Sequence, residues 1–441
     1  MSENQLLIGF GRADITPSMP VPMAGYGNTS MRFSANLLDP LYATCIAFTQ
    51  GDDTVLLYTQ DMLFAFRNMV LQLREKLNEE LGIPEERILI CGTHTHSAPD
   101  MNSAEPAIEA YKPEYLEAMT QAARAALEDR VPAKLYGAKG YTQGLNFIRH
   151  YLRSDGTVVG DNFGYFSKAP IVGHVEESDN EMVLVKMERQ GKKDILLVNW
   201  QAHPSKTGGG KKQDMSADFP GVVCAEIEKR TDMLCAYFTG AAGNHNSSSR
   251  IQEEQNNLDH LGLGAALADV AIATLPEMKQ IGGDGLKLVS QRYEHDVNHA
   301  EEDRLEIATE ILKKWRETGD TAEVNKLAWA HGFHSVYHCS AVSGRPKYGP
   351  RSPMELVTFR VGDLAFVNAP CEMFSRTGKH LKARSPYDVT VICSCANQNF
   401  SYFATEDAFD YGCFESQLSY FARGVAENAE EELVKMLNML Q

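Results

Sequence analysis

Along the first third of the chain, apolar positions switch between period two and period 3.6. YATCIAFTQ (42–50) and TVLLYTQ (54–60) are apolar, β-branched runs on either side of GDD, a pattern that predicts a hairpin. NMVLQLREKLNEELG has helical spacing and stops at Gly82. RILICGTHTHS then reads as a strand, PEYLEAMTQAARAALEDR as an amphipathic helix and AKLYGAKG as a strand. Residues 140–180 are rich in Gly, Asp and aromatics without a clear period, which predicts a long irregular segment.

The alternation resumes further on. EMVLVKMER and DILLVNWQAH predict paired strands around GKK, followed by the helix FPGVVCAEIEKR, the strand CAYFTG and a long helix ending near Pro276. KLVSQRYEHDV is strand-like. Residues 299–333 are densely charged at helical spacing and predict a surface helical hairpin, a possible insertion over about 297–333. MELVTFRV and LAFVNAP predict another strand pair, followed by the helix FSRTGKHLKARS and the strand DVTVICSC. One helix, ESQLSYFARGVAENAEEELVKMLNML, is expected to close the chain. No internal repeat or low-complexity linker is visible. The expectation is an α/β fold, a single large mixed-sheet unit over residues 1–441.

Composition narrows the class. Hydrophobic residues make up 43%, enough for a substantial core. Lys plus Arg is 42 against 59 Asp plus Glu, a net charge of −17, which excludes an electrostatic nucleic-acid binder. The compact basic spot is Lys206, Lys211 and Lys212 around the glycines of TGGGKKQ. No run reaches the roughly 20 apolar residues of a membrane span, and the N-terminus lacks a secretory pattern. Nine scattered cysteines form no zinc-knuckle or disulfide spacing, consistent with reduced thiols and a cytoplasmic location. Cys393 and Cys395 are expected on one face of a strand. The oligomeric state is not legible.

The candidate chemistry begins at CGTHTHSAPD. On an extended strand His94 and His96 share a face, and so can aim at a metal ion, at a substrate, or simply at hydrogen-bond partners. Other metal-donor residue types also follow apolar strands. His203 ends ILLVNWQA, Glu372 follows LAFVNAPC, and Tyr402 follows VICSCANQNFS. Sheets of α/β proteins put ligands at such strand exits. A carboxylate there is costly unless paired with a cation, although Glu372 also suits a helix start. Tyr402 alone reads equally as a half-buried aromatic.

These segments together resemble the neutral/alkaline (non-lysosomal) ceramidases. THTHSAP resembles that family's THTHSGP motif, GRADITP its N-terminal G-x-x-R-x-D-I-T signature, and NWQAH with SADFPG its N-W-x-x-H…S-x-D stretch. NAPCEMF resembles V-P-G-E-F, and NQNFSY resembles N-x-x-x-x-Y, all in the same order over residues 9 to about 405. The resemblance implies one catalytic zinc held by His94, His203, Glu372 and Tyr402, with His96 facing the water or substrate, and hydrolysis of an amide. Arg149 of NFIRHY resembles a family arginine near the site that can hold a carbonyl or carboxylate oxygen. Asp14 and Asp61 can orient the ligand histidines or serve turns.

The chain also departs from the family. It lacks the additional C-terminal β-sandwich domain of well-studied members and so reads as a short form. FTGAAGNHNSSSR has GNHN where the family carries G-D-x-S-P-N, so a serine nucleophile at that place is not supported, and His245 is a candidate substrate contact or an ordinary loop histidine. The TGGGKKQ run, if it faces the site, suits a polar or anionic substrate, and otherwise is a solvated loop. The leading expectation is a zinc-dependent hydrolase of C–N amide bonds acting on a small-molecule or lipid-like substrate. The alternatives are a metal hydrolase of small polar amides, esters or lactones, and a non-catalytic metal- or ligand-binding relative.

Overall fold

Three times along the chain, two antiparallel strands joined by a short turn are followed by a helix and then a strand parallel to the second. The first unit is Tyr42–Gln50, Asp53–Gln60, helix Arg67–Leu81 and Ile88–Gly92. The second is Glu181–Arg189, Ile195–Trp200, helix Asp218–Arg230 and Leu234–Thr239. The third is Arg351–Val361, Leu364–Asn368, helix Ser375–Arg384 and Val389–Cys393. Short turns permit antiparallel pairs, whereas a parallel partner requires the crossover helix. The computed structural model describes residues 5–26, 32–209, 212–398 and 400–441. Gly210 and Lys211 of TGGGKKQ, and Asn399 of NQNFSY, therefore lie outside the described residues.

The first two units form the flanks of a nine-stranded mixed sheet, joined through Leu7–Asp14 and Val131–Tyr141. The third unit, with Leu286–Asp296, makes a four-stranded sheet. The sheets share one apolar core in which Leu57, Leu89, Leu197 and Phe238 meet Val357, Phe366 and Val391. Phe359 and Phe366 stack at 4.3 Å, and Phe48 tilts against both. Helices cover the outer faces: Met69, Leu73 and Met119 on one flank, Phe219 and Leu267 on the other, Leu381 and Leu433 on the smaller sheet. The α/β expectation with a large mixed sheet holds. At Gly9 and Gly11 a Cβ would stand 1.9 and 2.1 Å from carbonyl oxygens of helix Pro106–Glu128, so these glycines let the helix lie directly on the strand.

The C-terminal ends of the three parallel strands meet. Thr239 Oγ1 donates to the Thr93 carbonyl at 2.7 Å, the Ser394 N–H to the Thr239 carbonyl at 3.1 Å, and the Asn397 N–H to the Ile90 carbonyl at 2.7 Å. The loops leaving this junction carry the candidate ligands.

Four local readings change. Residues 140–180 are not wholly irregular, because His150–Arg153, Val158–Gly160 and Ile171–His174 form a small antiparallel sheet. The charged hairpin, Leu305–Thr318 and Thr321–Ala330, gains a third helix, Val336–Gly344, and the three share a core with Trp315, Val324, Phe333 and Cys339. The closing helix is broken into Phe414–Leu418 and Val425–Met439, with Gly424 at φ 84° between them. The strand after Asp388 ends at Cys393, and Cys395 turns away at φ 55° instead of continuing it. All nine cysteines are free thiols.

Candidate metal centre

The strand Ile88–Gly92 ends before the histidine pair, and His94 adopts φ 70°. The two rings therefore converge through a tight turn rather than by strand alternation. A left-handed backbone at a non-glycine residue is costly and persists only where the surroundings enforce it. Here they do: the His94 N–H donates to the Met62 carbonyl at 2.9 Å, and His94 Nδ1 sits 2.9 Å from the Leu63 carbonyl. His203 leaves the strand Ile195–Trp200 and is held in the same way. Its Nδ1 faces the carbonyls of Ala242 at 2.9 Å and His245 at 3.1 Å. The tautomer that carries its proton on Nδ1, donated to these carbonyls, leaves each ring an Nε2 lone pair directed inward, the orientation a ligating histidine needs. Without an ion, burial lowers the His94 pKa, but Cys395 and Glu372 outweigh it and raise His94.

Glu372 and Tyr402 are register partners in a short parallel ladder, Glu372–Met373 with Tyr402–Phe403, so the backbone delivers them side by side. Glu372 Oε2 lies 3.3 Å from His94 Nε2 and 3.2 Å from His203 Nε2. His96 Nε2 is 3.4 Å from His94 Nε2, and the Tyr402 ring stacks on His203 at 6.3 Å. The structure thus gathers His94, His96, His203, Glu372 and Tyr402. The ligand atoms of the three histidines all lie within 4.8 Å of one another, so His96 approaches as closely as a ligand does.

This donor set fits a divalent ion. His203 Nε2 and Glu372 Oε2 are fully buried and, among the described residues, have no hydrogen bond beyond the close approach of the two histidines to the carboxylate, lone pairs that a cation would take up. Two to three imidazoles with a carboxylate and a phenol match zinc's preference for nitrogen and oxygen donors. Burial raises the Glu372 pKa, but His94 and His203 outweigh it and hold the carboxyl well below its usual range. Burial, helped by the charge of Arg149, lowers His203 to about 4. Burial with His94 and His203 also lowers His96, so both rings are neutral near pH 7. Burial, reinforced by Glu372, raises the Tyr402 phenol, against which Arg149 works.

Arg149 also reaches this group. Its guanidinium carbon lies 5.4 Å over the Tyr402 ring, it donates to the Tyr402 oxygen, and it donates to the Gly243 carbonyl at 2.8 Å. His245 is placed differently from the expected substrate contact. Its Nδ1 faces the Ala241 carbonyl at 3.1 Å and its Nε2 accepts the Asp179 N–H at 3.1 Å. The ring is buried with both nitrogens engaged, while its backbone carbonyl supports His203. Asp61 accepts from Tyr42 N–H and Thr93 Oγ1, and Asp14 caps Thr16; neither orients a histidine ring.

Several contributors carry no motif. Buried Arg32 donates to the carbonyls of His96, of Ala24 at 3.0 Å and of Lys212 at 3.0 Å, tying the histidine turn to the glycine run. Glu415 pairs with Arg149 Nε at 2.6 Å and with His150 Nε2 at 2.7 Å. The adjacent letters of NFIRHY, Arg149 and His150, were the available signal. His150, Cys413 and Glu415 also cluster closely enough to suggest a metal. There, however, the carboxylate already carries a guanidinium, and the second His150 nitrogen meets the Tyr411 hydroxyl at 2.9 Å.

The cluster opens into a cavity of about 640 Å³. Leu63, Phe64 and Phe66 line it, as do Tyr337, Lys347 and Tyr348. Asp100, Asn102, Asp161, Asn162, Ser205 and Asn246 add a polar lining. Among the described residues, no helix is long and apolar enough to cross a membrane.

No family model matches the chain, and no curated protein matches it in sequence. Solved structures do. Neutral ceramidase from Pseudomonas aeruginosa superposes with a TM-score of 0.74 at 15% identity, covering 99% of this chain and 74% of that one. A ceramidase complexed with C2 gives the same score and identity, covering 99% and 75%. At this identity the likeness is one of fold, and function has to be argued from the site. The mixed sheet, the crossover helices and the site's position at the strand exits all lie within the matched span, and the chain has the neutral ceramidase fold.

Proposed function

We propose that this protein is a zinc-dependent hydrolase of a carbon–nitrogen amide bond, with His94, His203, Glu372 and Tyr402 as metal ligands. The observation that carries the reading is the buried Glu372 Oε2 lying 3.3 Å from His94 Nε2 and 3.2 Å from His203 Nε2 at a cavity wall, three metal-donor atoms drawn together from separate segments. When bound, a divalent ion supplies Lewis acidity that acidifies water and polarises a carbonyl. Leu63, Ala242 and His245 carbonyls orient the ligand rings. His96 Nε2, neutral and at the cavity, takes a proton from water and returns it to the leaving amine. Arg149 holds the amide oxygen, and burial of the group keeps bulk water away from these charges.

The lining is mixed, with Phe64, Phe66, Phe400, Phe414 and Leu418 beside polar side chains, and the polar ones raise one refinement, a small polar N-acyl compound instead of a two-chain lipid. Asp100, Asn102, Asp161 and Asn162 would have to be desolvated against alkyl chains. The test is elemental analysis of purified protein, chelation and reloading, and turnover of ceramide against short N-acyl amides. One tightly bound zinc and chelator-sensitive release of amine are expected. Undiminished hydrolysis after complete metal removal would overturn the assignment. Turnover of ceramide alone would overturn the refinement.

A further inference from the structure

The buried carboxylate of Glu415 is not needed for a ligand set or a proton transfer, yet it sits directly behind Arg149. It is 2% exposed and lies between a guanidinium and an imidazole, with Arg149 Nε at 2.6 Å on one oxygen and His150 Nε2 at 2.7 Å on the other. His150, itself buried, is fixed on its far side by the Tyr411 hydroxyl at 2.9 Å. Burying a carboxylate is expensive, and partners on both oxygens offset the cost. The consequence for Arg149 is geometric. Its Nε edge is tied to Glu415, one terminal nitrogen is tied to the Gly243 carbonyl at 2.8 Å, and the plane is set against the Tyr402 ring. A guanidinium is a rigid fork, so fixing these points fixes where its remaining donors point, and Arg149 lines the cavity.

We propose that Glu415, backed by His150 and Tyr411, is a positioning residue that aims Arg149 at the substrate carbonyl and at Tyr402. The trio of His150, Cys413 and Glu415 is a charge-satisfied support and not a second metal site. The resident cation of that pocket is the Arg149 guanidinium. This rests on the proposed role of Arg149 in holding an acyl oxygen.

The test is a double-mutant cycle of Glu415→Gln and Arg149→Met on the full chain, read three ways: steady-state kinetics on N-acyl amides, metal stoichiometry with melting temperature, and calorimetric binding of acetate and octanoate. These carboxylates share the acyl oxygen of the product and need no turnover. Glu415→Gln is expected to keep one metal per chain and to lower kcat/KM about tenfold to a hundredfold. It is expected to weaken carboxylate binding, and to add nothing in the Arg149→Met background. Equal additional losses in that background would mean Glu415 acts by another route and would overturn the proposal. So would unchanged kinetics and binding, or a fall from two metals to one. If Glu415→Gln does not fold, Tyr411→Phe probes the outer link and is expected to give a smaller loss that likewise vanishes with Arg149→Met; no loss overturns the proposal. If the unaltered protein hydrolyses none of the amides, the hydrolase reading fails by itself, while the carboxylate-binding cycle still decides the role of Glu415.

Discussion

The Nε2 of His203 faces the Oε2 of Glu372 across 3.2 Å, and both atoms are fully buried. These residues are far apart in sequence and enter from different sheets. A carboxylate in such a place needs positive neighbours; His94 Nε2 lies 3.3 Å away, and a divalent ion, if bound, would supply further charge there.

Removing that carboxylate's charge should release the metal. Glu372→Gln is expected to weaken zinc affinity by more than about a hundredfold, since even outer contacts of such sites cost tenfold to a hundredfold. Competition against a calibrated zinc chelator measures it. Unchanged affinity would place the ion elsewhere.

Chelation should also cost stability. An ion bound to the folded chain at about a hundred times its Kd adds about 2.7 kcal/mol, which is lost on stripping and recovered on reloading. Urea titrations of stripped and reloaded protein read this directly, and coincident curves would contradict a structured metal centre.

His96 can be separated from the ligands by what its loss changes. Among the described residues its Nδ1 has no hydrogen-bond partner, and its Nε2 is 3.4 Å from His94 Nε2. His96→Asn is expected to lower kcat by about a hundredfold to ten-thousandfold with metal content intact, the range for a general acid or base. Loss of the metal instead would make His96 a third imidazole ligand.

Asp61, which accepts from Thr93 beside His94, predicts a pH dependence of folding. Burial raises its pKa from the ordinary 3.8 to about 7, against hydrogen bonds from Tyr42 and Thr93. Between those values the unfolded chain has released a proton that the folded chain keeps. Its contribution therefore falls as pH rises, by about 1.4 kcal/mol per pH unit until it levels off near 7. Asp61→Asn keeps an acceptor for the Tyr42 N–H and should flatten that slope. Parallel urea midpoints for the two proteins from pH 4.5 to 7.5 would refute it.

Periodicity made the strand pairs and most helices legible, because each element buries one face and its residues repeat at that element's spacing. Tyr42–Gln50 with Asp53–Gln60 and helix Pro106–Glu128 are examples. The residue types of a metal centre, placed after apolar runs, were also visible at His94, His203, Glu372 and Tyr402. The threefold use of one topology was hidden, since it repeats in strand connection and not in residues. Also hidden were the left-handed turn at His94, the engaged ring of His245 and the Glu415 support behind Arg149. Local sequence sets which residues can form a strand, a helix or a donor. Which donors meet depends on backbone carbonyls, ladders and ion pairs between segments tens to hundreds of residues apart, and those exist only once the sheets have packed.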